Sequence, residues 1–146
     1  MRYFVYKEMD IKDYDNAYTL WEATEGMGIS KADSRDNIEK FLERNPGLSY
    51  VCYRKNDDQS QTLIGTVLAG HDARRGYVYH LAVDKMHRKS GIGAKLMELC
   101  LSELKKQGIA KVHLMVYHDN EIGYRFWTNN NWVKRDEIIL FSKDLV

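Results

Sequence analysis

The chain has 146 residues, 44% hydrophobic and 29% charged, with a net charge of +1 at neutral pH. That length predicts one globular domain over 1–146, large enough to bury most of its unfolded surface without a staple. The near-zero charge excludes a broad pull towards nucleic acid or membrane. No apolar stretch approaches a membrane span, and Lys7 and Glu8 end the opening apolar run too soon for a signal peptide.

The elements follow from hydrophobic spacing and turn chemistry. Arg2 to Tyr6 reads as a first strand. Asp10 or Asp13 caps a helix carrying Tyr14, Ala17, Tyr18, Leu20 and Trp21, which Gly26-Met27-Gly28 ends. Ser34 caps a second helix with Ile38, Phe41 and Leu42 inward, and Asn45-Pro46-Gly47 stops it. Leu48 to Tyr53 is a strand, Lys55 to Gln61 a hairpin loop, and Thr62 to Ala69 a strand with Gly65 at a bulge. Asp72 to Gly76 turns the chain into the strand Tyr77 to Val83, with Arg74 and Arg75 at a solvated tip. Gly91 to Gln107 repeats Ile92, Leu96, Leu99, Cys100 and Leu104 at helical spacing. Val112 to Tyr117 is a strand and Glu121 to Thr128 a short helix, which Asn129-Asn130-Asn131 leaves through a left-handed residue. Trp132 to Lys143 supplies one or two last strands. Cys52 and Cys100 are placed as buried free thiols, which points to a reducing compartment, the cytoplasm.

One stretch carries chemistry. The strand Tyr77 to Val83 runs into Arg88-x-x-Gly91-x-Gly93-Ala94 and then into a helix. Glycines let the backbone approach a phosphate, and a helix start offers unpaired N–H groups with the positive end of its dipole. Arg88 and Lys89 add charge. A Walker A loop does not fit this spacing. The dinucleotide fingerprint needs a third glycine where Leu96 stands.

This loop resembles the acyl-CoA pyrophosphate loop of the GNAT superfamily of N-acetyltransferases, whose pattern is Gln/Arg-x-x-Gly-x-Gly/Ala. Val112 to Asn120 resembles that family's fifth strand with its terminal asparagine. Asn120-Glu-Ile-Gly123-Tyr-Arg-Phe-Trp127 is similar to its Asn-x-x-Ala-x-x-x-Tyr helix. The resemblance implies an α/β (α+β) GNAT fold: a mixed, mostly antiparallel sheet of six to seven strands flanked by about four helices. It also implies acetyl-CoA as cosubstrate. Leu81, Ala82 and Val83 would pair with the pantetheine arm through their backbone. Arg88, Lys89, Ser90, Gly91, Ile92, Gly93 and Ala94 would wrap the pyrophosphate. Asn120 and Trp127 would lie on the coenzyme side.

Acetyl transfer to an amine needs positioning, a hydrogen bond to the developing oxyanion, and loss of the ammonium proton. Where many members place a tyrosine acid, this chain has Trp127, and an indole N–H is not a proton-transfer acid. Tyr124, one turn earlier, is the substitute, although a thiolate can also leave unaided. For the base, His80 precedes Leu81 and a histidine suits proton removal at neutral pH; the plainer reading is a packed strand histidine. His113 and His118 are weaker candidates. His71, His80 and His87 lack metal-ligand spacing, so no metal is expected. Gly26 to Ser30 falls where the family borders its acceptor site.

The leading expectation is an acetyl-CoA-dependent N-acetyltransferase that moves the acetyl group to a primary amine of a small molecule or peptide by direct attack. A non-catalytic acyl-CoA sensor of the same fold is the alternative, favoured by Trp127. A ligand-free interaction domain is the third. Expected partners are acetyl-CoA and an amine, without nucleic acid or membrane; a homodimer is left open.

Overall fold

The computed structural model describes residues 3–146. Arg2, the first residue of the first expected strand, lies outside the described residues. The elements are β1 (Tyr3–Glu8), α1 (Tyr14–Glu22), α2 (Arg35–Arg44), β2 (Tyr50–Lys55), β3 (Gln61–His71), β4 (Gly76–Val83), α3 (Ile92–Lys106), β5 (Val112–His113) and α4 (Glu121–Asn129). Short 3-10 turns precede α1 (Ile11–Asp13) and α2 (Lys31–Asp33) and follow β4 (Lys85–His87). Two compact units divide the chain, one up to Met115 and one over Val116–Val146.

The first unit holds a five-stranded sheet in the order β1-β2-β3-β4-β5. The pairings β1–β2, β2–β3 and β3–β4 are antiparallel, and β4–β5 is parallel. This is the mixed, mostly antiparallel sheet expected. The β2–β3 register shifts between Cys52 and Tyr53, which leaves Ile64 as an extra residue beside Gly65. The carbonyl of Ile64 accepts from Asp84 N at 2.7 Å. The bulge expected at Gly65 therefore sits there, and it ties β3 to the exit of β4.

Helix entries follow the capping residues. Asp10 accepts from Lys12 N while Asp13 accepts from Asp10 N, a reciprocal box ahead of α1. Ser34 accepts from Asn37 N at the start of α2. Tyr14, Ala17, Leu20 and Trp21 form the buried face of α1. With Ile38 they pack on Val51, Tyr53, Leu63, Leu68 and Ala82. Cys52 alternates to the other face, where α3 lies. A Cβ on Gly65 would stand 3.1 Å from both Ile92 Cγ2 and Leu96 Cδ1, so the absence of a side chain lets α3 settle on the sheet.

The strand count differs from expectation, five among the described residues in place of six to seven. The strand expected to reach Tyr117 stops at His113. Trp132 to Lys143 forms no strand. Apolar and β-branched residues favour strands only where an edge is available for pairing. Here Lys134 and Arg135 instead pair locally with Asp136 and Glu137.

Candidate active site

β4 is paired along its length with β3 but with β5 only at Gly76↔Val112 and Tyr77↔His113. From Tyr79 to Val83, among the described residues, the other edge of β4 meets no strand. Backbone N–H and C=O groups along such an edge are ready to pair with an extended ligand. Leu81, Ala82 and Val83 all lie on this free stretch.

The stretch is bent. Thr66 pairs with Ala82, yet Leu68 pairs with Tyr79, so His80 and Leu81 together oppose Val67. His80 takes φ +50°, a left-handed conformation at the bulge. Such a bulge position ordinarily falls to glycine, and a larger residue there carries strain of about 1 kcal/mol or more. Side chains behind the sheet pin it. The Trp21 indole donates to Thr66 Oγ1 at 2.9 Å, and that hydroxyl donates to the His80 carbonyl at 2.9 Å. Trp21 and Thr66 are fully buried.

The segment after β4 is held as firmly. Asp84 accepts from Met86 N and contacts His87 Nδ1, while the Arg54 guanidinium donates to His87 Nε2. Both ring nitrogens of buried His87 are thus committed to structure. Arg88 Nε donates to the carbonyl of Val83 at 3.3 Å. Lys89 and Gly91 both take left-handed conformations, with φ +66° and +79°. α3 then begins with no side chain capping it and no acidic residue in its first turn. Its first internal bond runs from Lys95 N to Gly91 O, so the N–H groups of Ile92, Gly93 and Ala94 have no partner within the helix. Nothing lies within 4 Å of where a Gly91 Cβ would be. Space, dipole and free donors coincide beside Arg88, Lys89 and Lys95, a cradle fitted to a phosphate group.

His80 turns its ring towards α1 and the turn before α2. Its centroid is 4.7 Å from that of Trp21. Nε2 lies 2.7 Å from Asp33 Oδ1. Asp33 is 8% exposed, and its other oxygen accepts from Ser30 N at 3.0 Å. The Tyr14 hydroxyl donates to the Asp33 carbonyl at 2.6 Å. Burial, and then Tyr18 and Asp33, hold that hydroxyl above its ordinary pKa, so it stays a donor at neutral pH. Sequence reading passed over Asp33. The signal was the spacing Ser30-x-x-Asp33, a capping box ahead of a helix.

The other histidines go elsewhere. His71 contacts Gln107 Oε1 and accepts from Ala73 N. His113 packs its ring against Tyr77, and His118 is exposed. No group of three or more metal-ligating side chains occurs among the described residues. Trp21 belongs to the core and Tyr18 packs against it. Arg74 and Arg75 sit at an exposed tip, where Asp72 Oδ1 accepts from both backbone N–H groups. Burial pushes the Cys52 thiol up to about 11 and the Cys100 thiol up to about 12, so both stay protonated at neutral pH.

In the second unit, Asn120 caps α4 by accepting from Gly123 N at 2.9 Å. A Cβ on residue 123 would meet Asn120 Nδ2 at 2.8 Å, which explains glycine there. Tyr124 is half exposed, with Lys134 Nζ 5.7 Å from its ring centroid. Trp127 packs edge-on against Phe126 and Trp132. Asn131 takes φ +68°, the left-handed exit expected.

Residues 14–131 match the family described as acetyltransferase (GNAT). An acetyltransferase of Pectobacterium atrosepticum is 31% identical over 109 residues, covering 75% of this chain and 73% of its own. An acetyltransferase of Sodalis glossinidius is 27% identical over 134 residues, covering 92% of this chain and 90% of its own. Among solved structures, the NatC complex bound to Gag peptide and CoA superposes with a TM-score of 0.74 at 22% identity, covering 90% of this chain and 86% of that one. At that identity the likeness is one of fold.

Proposed function

This chain is an acetyltransferase of the GNAT family, and we propose that it moves the acetyl group of acetyl-CoA to a primary amine of a small molecule or peptide by direct attack. One observation carries the reading: the unpaired, bulged edge of β4 leads through one short turn and the Arg88–Gly91 loop to an uncapped helix start with basic residues beside it. Acetyl-CoA supplies the activated acyl group as a thioester. Backbone groups of Leu81, Ala82 and Val83 pair with its pantetheine arm, and the bend at His80 turns an N–H towards the acetyl carbonyl. Such a fixed donor stabilises charge on that oxygen without reorganising.

The N–H groups from Gly91 to Ala94 hold the pyrophosphate, with Arg88, Lys89 and Ser90 at its rim. An extended chain held at both ends keeps the thioester still while the amine approaches, which lowers the entropic part of the barrier. The family resemblance assigns Asn120 and Trp127 to the coenzyme side, and Tyr124, one turn before Trp127, is the substitute for the family's tyrosine acid. A thiol of pKa near 8.5 leaves tolerably as thiolate, so the reaction proceeds without an acid. The buried free thiols suit a reducing compartment, the cytoplasm.

Calorimetry with acetyl-CoA and thiol release over a panel of primary amines test this. Saturable binding with amine-dependent release is expected. Binding without release for any amine would overturn the transfer reading and favour a sensor.

A further inference from the structure

We infer that His80 and Asp33 form a proton-accepting dyad for the acceptor amine, in which His80 Nδ1 takes the proton and Asp33 is the positioning residue that fixes the ring. This rests on the acetyl-transfer reading above. Geometry sets the tautomer. An ionised carboxylate only accepts hydrogen bonds, so Asp33 Oδ1 at 2.7 Å places the ring proton on Nε2 and the lone pair on Nδ1. His71 and His87 each have both ring nitrogens engaged. Among the described residues, no hydrogen bond engages His80 Nδ1. Among the described residues no buried side-chain nitrogen or oxygen lacks a partner, so this unpartnered nitrogen keeps some surface exposed to solvent.

Location and conformation agree. His80 stands at the bulge within the free stretch, immediately before Leu81-Ala82-Val83, and holds a left-handed φ that glycine would adopt more easily. Backbone strain of this kind clusters at active sites, and here it falls beside the proposed coenzyme edge. The surrounding groups leave Asp33 to this partner. Tyr14 donates to the Asp33 main chain, Arg35 lies over the Tyr14 ring and pairs with Asp15, and Tyr18 packs beside Trp21. Tyr77 and Tyr79 are the phenols on β4 itself. Among the described residues, His80 is the sole ion-pair partner of Asp33.

The step balances. A primary ammonium gives one proton to Nδ1, and the imidazolium formed is held by Asp33. The free amine attacks the acetyl carbon, forming the N–C bond as the C–S bond breaks and the thiolate leaves. The nitrogen's second proton passes to the thiolate, and the imidazolium returns its proton to water. The products are amide, thiol and one proton.

Asp33→Asn tests the dyad, because asparagine can still accept from Ser30 N while its NH2 donates to Nε2, forcing the proton onto Nδ1. With acetyl-CoA and either spermidine or a hexapeptide with a free amino terminus, kcat/KM at pH 7 is expected to fall about a hundredfold. Coenzyme affinity should hold within about twofold, since Asp33 is not among the backbone groups proposed to pair with the coenzyme. The deficit should shrink as pH nears the acceptor's own pKa, about 8 for an α-amine or 10 for an alkylamine, where no base is needed. A deficit constant across pH would overturn the proposal, because a merely structural role has no reason to vanish there. His80→Gly suits the left-handed backbone, and added imidazole should restore part of its activity; no restoration counts against the dyad. Nitrogen-15 NMR of the parent's histidine rings needs no acceptor: His80 with Nδ1 protonated at neutral pH would sink the proposal. Absence of acetyl-CoA binding by the parent would instead strike the acetyl-transfer reading.

Discussion

Trp21 and Thr66, 45 positions apart, share one buried hydrogen bond, from the indole N–H to Oγ1 at 2.9 Å. The same hydroxyl donates to the carbonyl of His80. A single oxygen thereby accepts from α1 and donates to the bulge of β4, which fixes the bend from which the proposed coenzyme edge departs.

Thr66→Val keeps the shape and removes both bonds. The indole N–H and the His80 carbonyl lose their shared partner, and leaving a buried polar group unpaired costs about 1–3 kcal/mol. Urea denaturation should show a loss of that size, and acetyl-CoA affinity should fall with it. A stable variant with parental affinity would show that the bend is fixed by other contacts.

Gly91→Asp places a negative charge in the proposed phosphate cradle. Nothing lies within 4 Å of the new Cβ, and aspartate tolerates left-handed φ better than most residues, so the fold should survive. Calorimetry should record acetyl-CoA binding weakened by at least about tenfold, ~1.4 kcal/mol, with the melting temperature little changed. Parental affinity in a folded variant would place the pyrophosphate elsewhere.

Tyr124→Phe tests departure of the thiolate. Turnover should fall by less than about tenfold, ~1.4 kcal/mol, if no acid is needed. A hundredfold loss in kcat with intact coenzyme affinity would make the Tyr124 hydroxyl the acid.

Alkaline pH should weaken the fold through the buried thiols. Burial raises Cys52 from 9.0 to about 11 and Cys100 from 9.0 to about 12. Above pH 9 the unfolded chain releases these protons while the folded chain keeps them, so the unfolded state binds fewer protons and stability falls as pH rises. The loss should run from about pH 9 to the folded values of about 11 and about 12. Urea midpoints measured across that range should decline, and Cys100→Ala should flatten the decline. An equal slope in that variant would assign the effect to other groups, of which Tyr6, raised by burial to about 12, is the next candidate.

The sequence by itself determined the local elements and the loop. Capping residues, apolar spacing and the glycines of the loop act within a few residues of chain, so Ser34, the inward face of α3 and the left-handed exit at Asn131 are all readable in one dimension. Tertiary structure decided what depends on pairing between distant segments. The bulge at His80 exists because β4 has one residue more than β3 can match, a register fact that neither strand contains alone. The same holds for Asp33, 47 positions from His80, which a capping box aims at that ring. The expected last strands failed for the converse reason: Ile138 to Phe141 has strand composition, but a ladder needs a partner, and among the described residues no strand forms over Trp132 to Lys143.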